Sequence, residues 1–259
     1  MNNQKKRPLI LIANDDGYQA KGIRELEKVA TESGHVIVMA PDSPRSGFST
    51  CITSEQPVSY KKISETENLE VYGCTGTPAD CIKLALLELS PEVPDLILSG
   101  INHGSNAGIN AHYSGTMGAA FEGCMKQIPS IGFSLCDHNP DADFTPLFPW
   151  ITKIIQDTLQ HGLPEGVCLN VNFPVKAPYK GIKVCTQDIG RWENEWFKTP
   201  VPPRNKEVFW ITGSYHSLKK EDSSTDNWAL DHGYVAVSPL QIDMTAHAAM
   251  QELAKRLTV

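Results

Sequence analysis

Leu9-Ile10-Leu11-Ile12-Ala13-Asn14-Asp15-Asp16-Gly17 runs five apolar residues without a break into an amide, two adjacent carboxylates and a glycine. A short continuous apolar run suits a strand buried on both faces, because side chains on either side of the pleat then meet apolar cover. Helices must supply that cover, and Ile23, Leu26, Val29 and Ala30 follow at helical spacing. Gly34-His35 ends that helix, and residues 36–40 repeat the apolar strand pattern. A polar loop spans 41–53, and 58–62 and 69–72 read as two shorter strands. Thr77-Pro78-Ala79-Asp80 opens a second helix with a Thr cap, a proline at the first helical position and an acid three residues after the cap. Its core face is Ile82, Ala85, Leu86 and Leu89.

The alternation continues. Residues 95–99 read as a buried strand, 100–115 as a Gly/Asn-rich loop, and Met117, Ala120, Phe121 and Cys124 as one face of a helix. A strand at 128–134, a helix marked by Leu147, Ile151, Ile154, Ile155 and Thr158, and a strand at 167–173 complete the series. Strands alternating with helices predict an α/β fold: a mainly parallel sheet with helices on both faces, three layers in all. After about residue 175 the pattern loosens. Residues 181–186, 208–212 and 233–238 read as strands and 244–257 as a closing helix. Between them, 190–207 carries Trp192, Trp196, Phe197 and Thr199-Pro200-Val201-Pro202-Pro203, which reads as a projecting hairpin or arm. The expected organisation is one domain over 1–259, with a core over about 8–175 and a C-terminal extension over about 176–259.

The 259 residues carry 23 Lys and Arg against 30 Asp and Glu, a formal net charge of −7. With 41% hydrophobic and 20% charged residues the chain is neither disordered nor a coiled coil. Its negative field opposes a nucleic-acid duplex or an anionic membrane as partner. A small anionic substrate remains compatible with that field if a cation supplies local positive charge. The seven cysteines are odd in number and form no C-x-x-C, which fits reduced thiols in a cytoplasmic protein and no cysteine-based zinc site. The first apolar run is too short for a signal peptide, and no stretch approaches the ~20 apolar residues of a membrane span.

Ligands of open parallel sheets bind beyond the carboxyl ends of the strands. Three such ends are polar here: Asn14-Asp15-Asp16-Gly17, then Pro41-Asp42-Ser43-Pro44-Arg45-Ser46-Gly47, then Ser99-Gly100-Ile101-Asn102-His103-Gly104-Ser105-Asn106. Adjacent carboxylates repel unless a cation or proton lies between them, and oxygen donors from Asp, Ser and Asn suit a hard divalent ion. The competing reading of Asn14–Gly17 is a helix-capping turn. Ser114-Gly115-Thr116 opens a helix whose free N–H groups suit a phosphate, or is an ordinary Ser cap. His103 and His112 flank this region. Neither a Walker A loop, a G-x-G-x-x-G nor a G-x-S-x-G is present.

Taken in order, Asn14-Asp15-Asp16-Gly17, Ala40-Pro41-Asp42 with Arg45-Ser46-Gly47, Gly76-Thr77-Pro78-Ala79-Asp80-Cys81, Ser99-Gly100-Ile101-Asn102 with Gly104, Asn106 and Gly108, and Ser114-Gly115-Thr116 closely resemble the SurE (stationary-phase survival protein) family of metal-dependent nucleoside 5′-monophosphatases. Asp226, Gly233-Tyr234-Val235 and Pro239-Leu240 with Asp243 and Thr245 also fit. The resemblance implies a Rossmann-like fold and a homodimer or dimer of dimers that exchanges its C-terminal arm. It implies one divalent cation, Mg²⁺, Mn²⁺ or Ca²⁺, held by Asp15, Asp16, Ser46 and Asn102. Asn106, Ser114, Gly115 and Thr116 are then expected against the phosphate, and Asp243 and His247 near the arm hinge. The chain departs from the commoner family pattern over 46–53, where Phe48 and Cys51 sit among small or polar positions, and matches only loosely over 190–228.

The implied reaction is hydrolysis of a nucleoside 5′-monophosphate; 3′-nucleotidase or exopolyphosphatase side activity is left open by the sequence. Asp15 and Asp16 are the expected catalytic residues, Asp16 first as proton acceptor. An aspartyl-phosphate enzyme usually needs Asp-x-Asp after the first strand, and a phospho-receiver needs an Asp where the 95–99 strand instead ends in Ser99-Gly100. A metal-bound regulatory or ligand-binding protein without phosphatase activity is the remaining alternative.

Overall fold

In the computed structural model, residues 6–201 and 206–257 are described; Pro202 and Pro203 of the expected arm fall outside them. The chain starts with β1 (Leu9–Ala13), α1 (Lys21–Ser33) and β2 (His35–Pro41), then β3 (Tyr60–Thr66), β4 (Leu69–Cys74) and α2 (Pro78–Glu88). β5 (Leu96–His103), α3 (Gly115–Met125), β6 (Ser130–Leu135), α4 (Phe148–His161) and β7 (Val167–Phe173) follow. The main sheet runs β3-β4-β2-β1-β5-β6-β7 and continues into two strands from the C-terminal part, β13 (Val235–Gln241) and β8 (Ile182–Val184). From β4 to β7 every pairing is parallel; β3 and β13 join antiparallel. This is the mainly parallel α/β sheet expected from the alternation.

The unbroken apolar run of β1 is explained by its neighbours. Ile10 and Ile12 point into a core with Ile23 and Leu26 of α1 and Ile151 and Ile155 of α4. Leu9, Leu11 and Ala13 point the other way, onto Ile82 and Ala85 of α2 and Ala119 of α3. All five β1 residues are buried, so no position on this strand could be polar without desolvation cost. The predicted Thr77 cap is a full capping box: Thr77 Oγ1 accepts from Asp80 N (3.2 Å) and Asp80 Oδ2 accepts from Thr77 N (2.9 Å).

Some boundaries differ from expectation. β3 covers 60–66 rather than 58–62, and every residue of it is exposed. An edge strand with both faces wet has no apolar alternation to read. The loosely patterned region holds β9 (Gly190–Glu193) paired with β12 (Ser214–Ser217), and a hairpin of β10 (Trp196–Val201) and β11 (Lys206–Ile211). The hairpin exposes Trp196, Phe197, Phe209, Trp210 and Ile211. A short helix, α5 (Asp226–Asp231), precedes β13, and α6 (His247–Leu257) closes the chain with no buried residue. All seven cysteines are free; Cys51 is exposed and Cys136 partly so. Among the described residues no helix is long and apolar enough to cross a membrane.

Candidate active site

The site forms where β1, β2 and β5 end. Asn14 makes the turn after β1 by itself: its Nδ2 donates to Gly17 O (3.0 Å) and its Oδ1 accepts from Gly17 N (3.1 Å). Gly17 sits at φ +100°, a conformation that side chains disfavour. α1 begins later, capped at Ala20 with no side-chain bond. Neither Asp15 nor Asp16 is therefore used as a helix cap, and the capping-turn reading fails.

Freed from capping, the two carboxylates are held in place. Asp15 is 4% exposed and its Oδ1 accepts from Thr116 Oγ1 at 2.6 Å. It lies directly beneath the start of α3: a Cβ added to Gly115 would come 2.7 Å from Asp15 Cβ. Burial pushes the Asp15 carboxyl up to about 6, against the Thr116 hydrogen bond and with added repulsion from Asp16. Asp16 is raised too, again by burial, with the His103 backbone N–H opposing. Its Oδ2 is buried and has no hydrogen-bond partner. No Lys or Arg among the described residues pairs with either acid. A buried carboxylate oxygen without a donor, beside a second carboxylate, is an electrostatic deficit that a cation relieves.

Ser46 and Asn102 are the other two expected oxygen donors. The loop after β2 is tied to the acids by Arg45 N donating to Asp15 O (2.7 Å), which brings the exposed Ser46 to the same corner. Asn102 lies where β5 breaks register with β6, between Ser99 and Asn102. Its Nδ2 donates to Gly104 O (2.9 Å), which commits the nitrogen and leaves the amide oxygen for a cation. No group of three or more His, Cys, Asp or Glu gathers among the described residues. The expected donors, two carboxylates, a hydroxyl and an amide oxygen, are of a chemistry that fits a hard divalent ion that keeps some water.

At α3, Ser114 is the N-cap and its Oγ accepts from Met117 N (3.0 Å). The first intrahelical bond is Gly118 N to Ser114 O, so helix geometry leaves the Gly115 and Thr116 N–H groups without an intrahelical acceptor. The cap reading of Ser114 is the one seen; beside it the Thr116 N–H turns to the Asp15 carboxylate, and the Gly115 N–H is the group that helix geometry leaves for an anion. Asn106 is buried, and its hydrogen bonds go to β6 and β7 rather than to the acids or to Thr116. Its Nδ2 donates to Ser134 Oγ (2.8 Å), its N to Asn172 Oδ1 (2.9 Å), and its O accepts from Asn170 Nδ2 (2.8 Å).

Sequence reasoning missed this support. Asn170 and Asn172 are two polar residues at strand period inside an apolar run, and that pattern was the available signal. It also undervalued Asp226, which is fully buried and accepts from Gly108 N (2.8 Å), Asp188 N (3.0 Å) and Asn227 N (2.8 Å), pinning the loop after β5 to α5. The His103 ring packs edge-on to Phe144 at 5.0 Å, and His112 O accepts from Ser49 Oγ (2.6 Å). Asp243 and His247 bond each other at 2.8 Å at the start of α6, both exposed.

Residues 10–194 match the family described as Survival protein SurE. The chain is 55% identical over 250 residues to the 5′-nucleotidase SurE of Phocaeicola vulgatus, covering 96% of this chain and 97% of the relative. It is 53% identical over 250 residues to the 5′-nucleotidase SurE of Bacteroides thetaiotaomicron, covering 96% of each. The fold is similar to that of the crystal structure of SurE protein from Aquifex aeolicus, with a TM-score of 0.82 and 36% identity over 96% of this chain and 99% of that one.

Proposed function

The chain belongs to the SurE family, and from that membership we propose that it hydrolyses nucleoside 5′-monophosphates to nucleoside and inorganic phosphate. The observation that carries the reading is the buried, unpartnered Asp16 Oδ2 beside Asp15, directly under the N-terminus of α3. Asp15, Asp16, Ser46 and Asn102 would hold one divalent cation, Mg²⁺, Mn²⁺ or Ca²⁺. Such a cation, when bound, supplies charge neutralisation on the phosphate and activation of water.

The chain's own residues do the rest. The Gly115 N–H receives a phosphate oxygen and stabilises charge as it builds there in the transition state, while the Thr116 N–H holds the Asp15 carboxylate. Thr116 Oγ1 fixes the rotamer of Asp15. Asp16, the second carboxylate at the site, accepts the proton of the attacking water. Asn106, fixed in the loop after β5 by Asn170, Asn172 and Ser134, would contact the phosphate through the part of its amide that Ser134 leaves free. A cradle that reads only a terminal phosphate also supports activity on 3′-nucleotides and polyphosphate.

Assembly and location belong to the same reading. The exposed apolar hairpin 196–211 and the unburied α6 support a homodimer or dimer of dimers. The free cysteines support a cytoplasmic location. The test is phosphate release from AMP, GMP and p-nitrophenyl phosphate with and without chelator. Release from the nucleotides that chelator abolishes and Mn²⁺ restores is the expected result. Metal binding without release from any of them would leave the regulatory, non-catalytic reading in its place.

A further inference from the structure

Next to Ser46 the loop after β2 walls a concavity of about 530 Å³, lined by Arg45, Phe48, Cys51, Ile52, Thr75 and Thr77 among others. Phe48 is 41% and Ile52 52% exposed. Large apolar side chains left open to water beside a polar corner are a feature to be explained. The Arg45 guanidinium stands 5.8 Å from the centre of the Phe48 ring, and its Nη2 donates to Thr75 O (3.0 Å). Arg45 Nε is buried and has no acceptor.

The wall is preformed. Cys51 N donates to Phe48 O (2.9 Å), and Ser49 N and Oγ donate to Tyr113 O (3.2 Å) and His112 O (2.6 Å). Thr53 N donates to the Asp80 carboxylate (3.1 Å), and Thr77 Oγ1 donates to Cys51 O (2.6 Å). The loop is thus bolted to the starts of α2 and α3, and the Phe48 ring is carried on a fixed backbone.

Its position relative to the phosphate cradle is informative. The sheet order is β4-β2-β1-β5. The concavity lies past the ends of β2 and β4, and the acids and α3 N-terminus lie at β1. Neighbouring strands are about 4.8 Å apart, so two strand steps are about 10 Å, comparable to the reach from a phosphorus across a ribose to its base.

We propose that this concavity is a nucleobase subsite, in which the base stacks on the Phe48 ring beside the Arg45 guanidinium. It rests on the nucleotidase reading above and adds to it a base-recognition pair. A phenyl face stacks on any flat heteroaromatic and an arginine beside it strengthens the contact. Phe48 acts on specificity and touches no reacting atom.

Two measurements test it, one with turnover and one without. The first compares kcat/KM for AMP with that for ribose 5-phosphate, which has the same sugar phosphate and no base. In Phe48→Ala the AMP to ribose 5-phosphate ratio is expected to fall about tenfold, through KM for AMP rather than kcat, and Phe48→Trp is expected to restore it. A ratio that Phe48→Ala leaves unchanged overturns the subsite. The second is saturation-transfer NMR of adenosine on chelator-treated protein, which needs no activity. Transfer to the adenine protons that Phe48→Ala abolishes supports the subsite. No transfer in the parent protein, or equal transfer in both, overturns it. A protein inactive on AMP that still shows Phe48-dependent adenosine transfer would refute the nucleotidase reading and leave the base subsite standing.

Discussion

Asp15 and Asp16 are costly residues to place where they are. An acid whose folded value lies above its unfolded one contributes stability that is fully present below the unfolded value and lost as pH rises through the folded one. For Asp15 those values are 3.8 and about 6. Above pH 6 the metal-free protein therefore carries a penalty on the order of 1–3 kcal/mol at this residue. Asp15→Asn is expected to raise metal-free stability near pH 7.5 by that order, with a much smaller gain near pH 4, read from urea unfolding at the two pH values. Asn172→Ala leaves the Asn106 N–H buried without its acceptor, which costs about 1–3 kcal/mol, and is expected to lower kcat for AMP in parallel. The acids were legible in the sequence because two adjacent carboxylates after an apolar run are chemically conspicuous. The amide network was not, since Asn106 and Asn172 are 66 positions apart and no local pattern announces their meeting.

Among the elements, α3 matters most, because its first turn sits against β1. Gly→Ala within a helix ordinarily gains up to about 1 kcal/mol. At Gly115 the new Cβ would stand 2.7 Å from Asp15 Cβ, so Gly115→Ala is expected to displace Asp15 or tilt α3. Activity on AMP should fall more than tenfold with no gain in melting temperature, measured side by side. Helix starts were readable in the sequence because their signals are local: the Thr77 capping box and the Ser114 cap both appear as expected. β3 and α5 were harder to read. β3 is exposed on every residue, so it carries no burial pattern, and α5 is six residues long, too short for a helical period to register.

Over the whole molecule, the parallel order from β4 to β7 followed from strand–helix alternation. That the strand at 235–241 inserts beside β7 did not, because its pairing with residues 167–172 is non-local and antiparallel. The hairpin of β10 and β11 leaves Trp196, Phe197, Trp210 and Ile211 more than half exposed, an apolar surface larger than isolated side chains account for. If the proposed dimer forms through this surface, Trp196→Glu with Trp210→Glu shifts it to monomer in light scattering while leaving circular dichroism unchanged; an unaltered oligomer would assign assembly to another surface.

All three scales meet in one claim: the chain is a phosphomonoesterase whose chemistry depends on the acids after β1. The direct measurement is the rate of phosphate release from AMP by the Asp15→Asn, Asp16→Asn double variant beside the parent protein, both in saturating Mn²⁺ and with folding checked by circular dichroism. The account predicts a folded variant whose rate is at least about a thousandfold lower, the scale of losing a transition-state electrostatic contact worth about 4 kcal/mol. A folded double variant that hydrolyses AMP at the parent rate would contradict it.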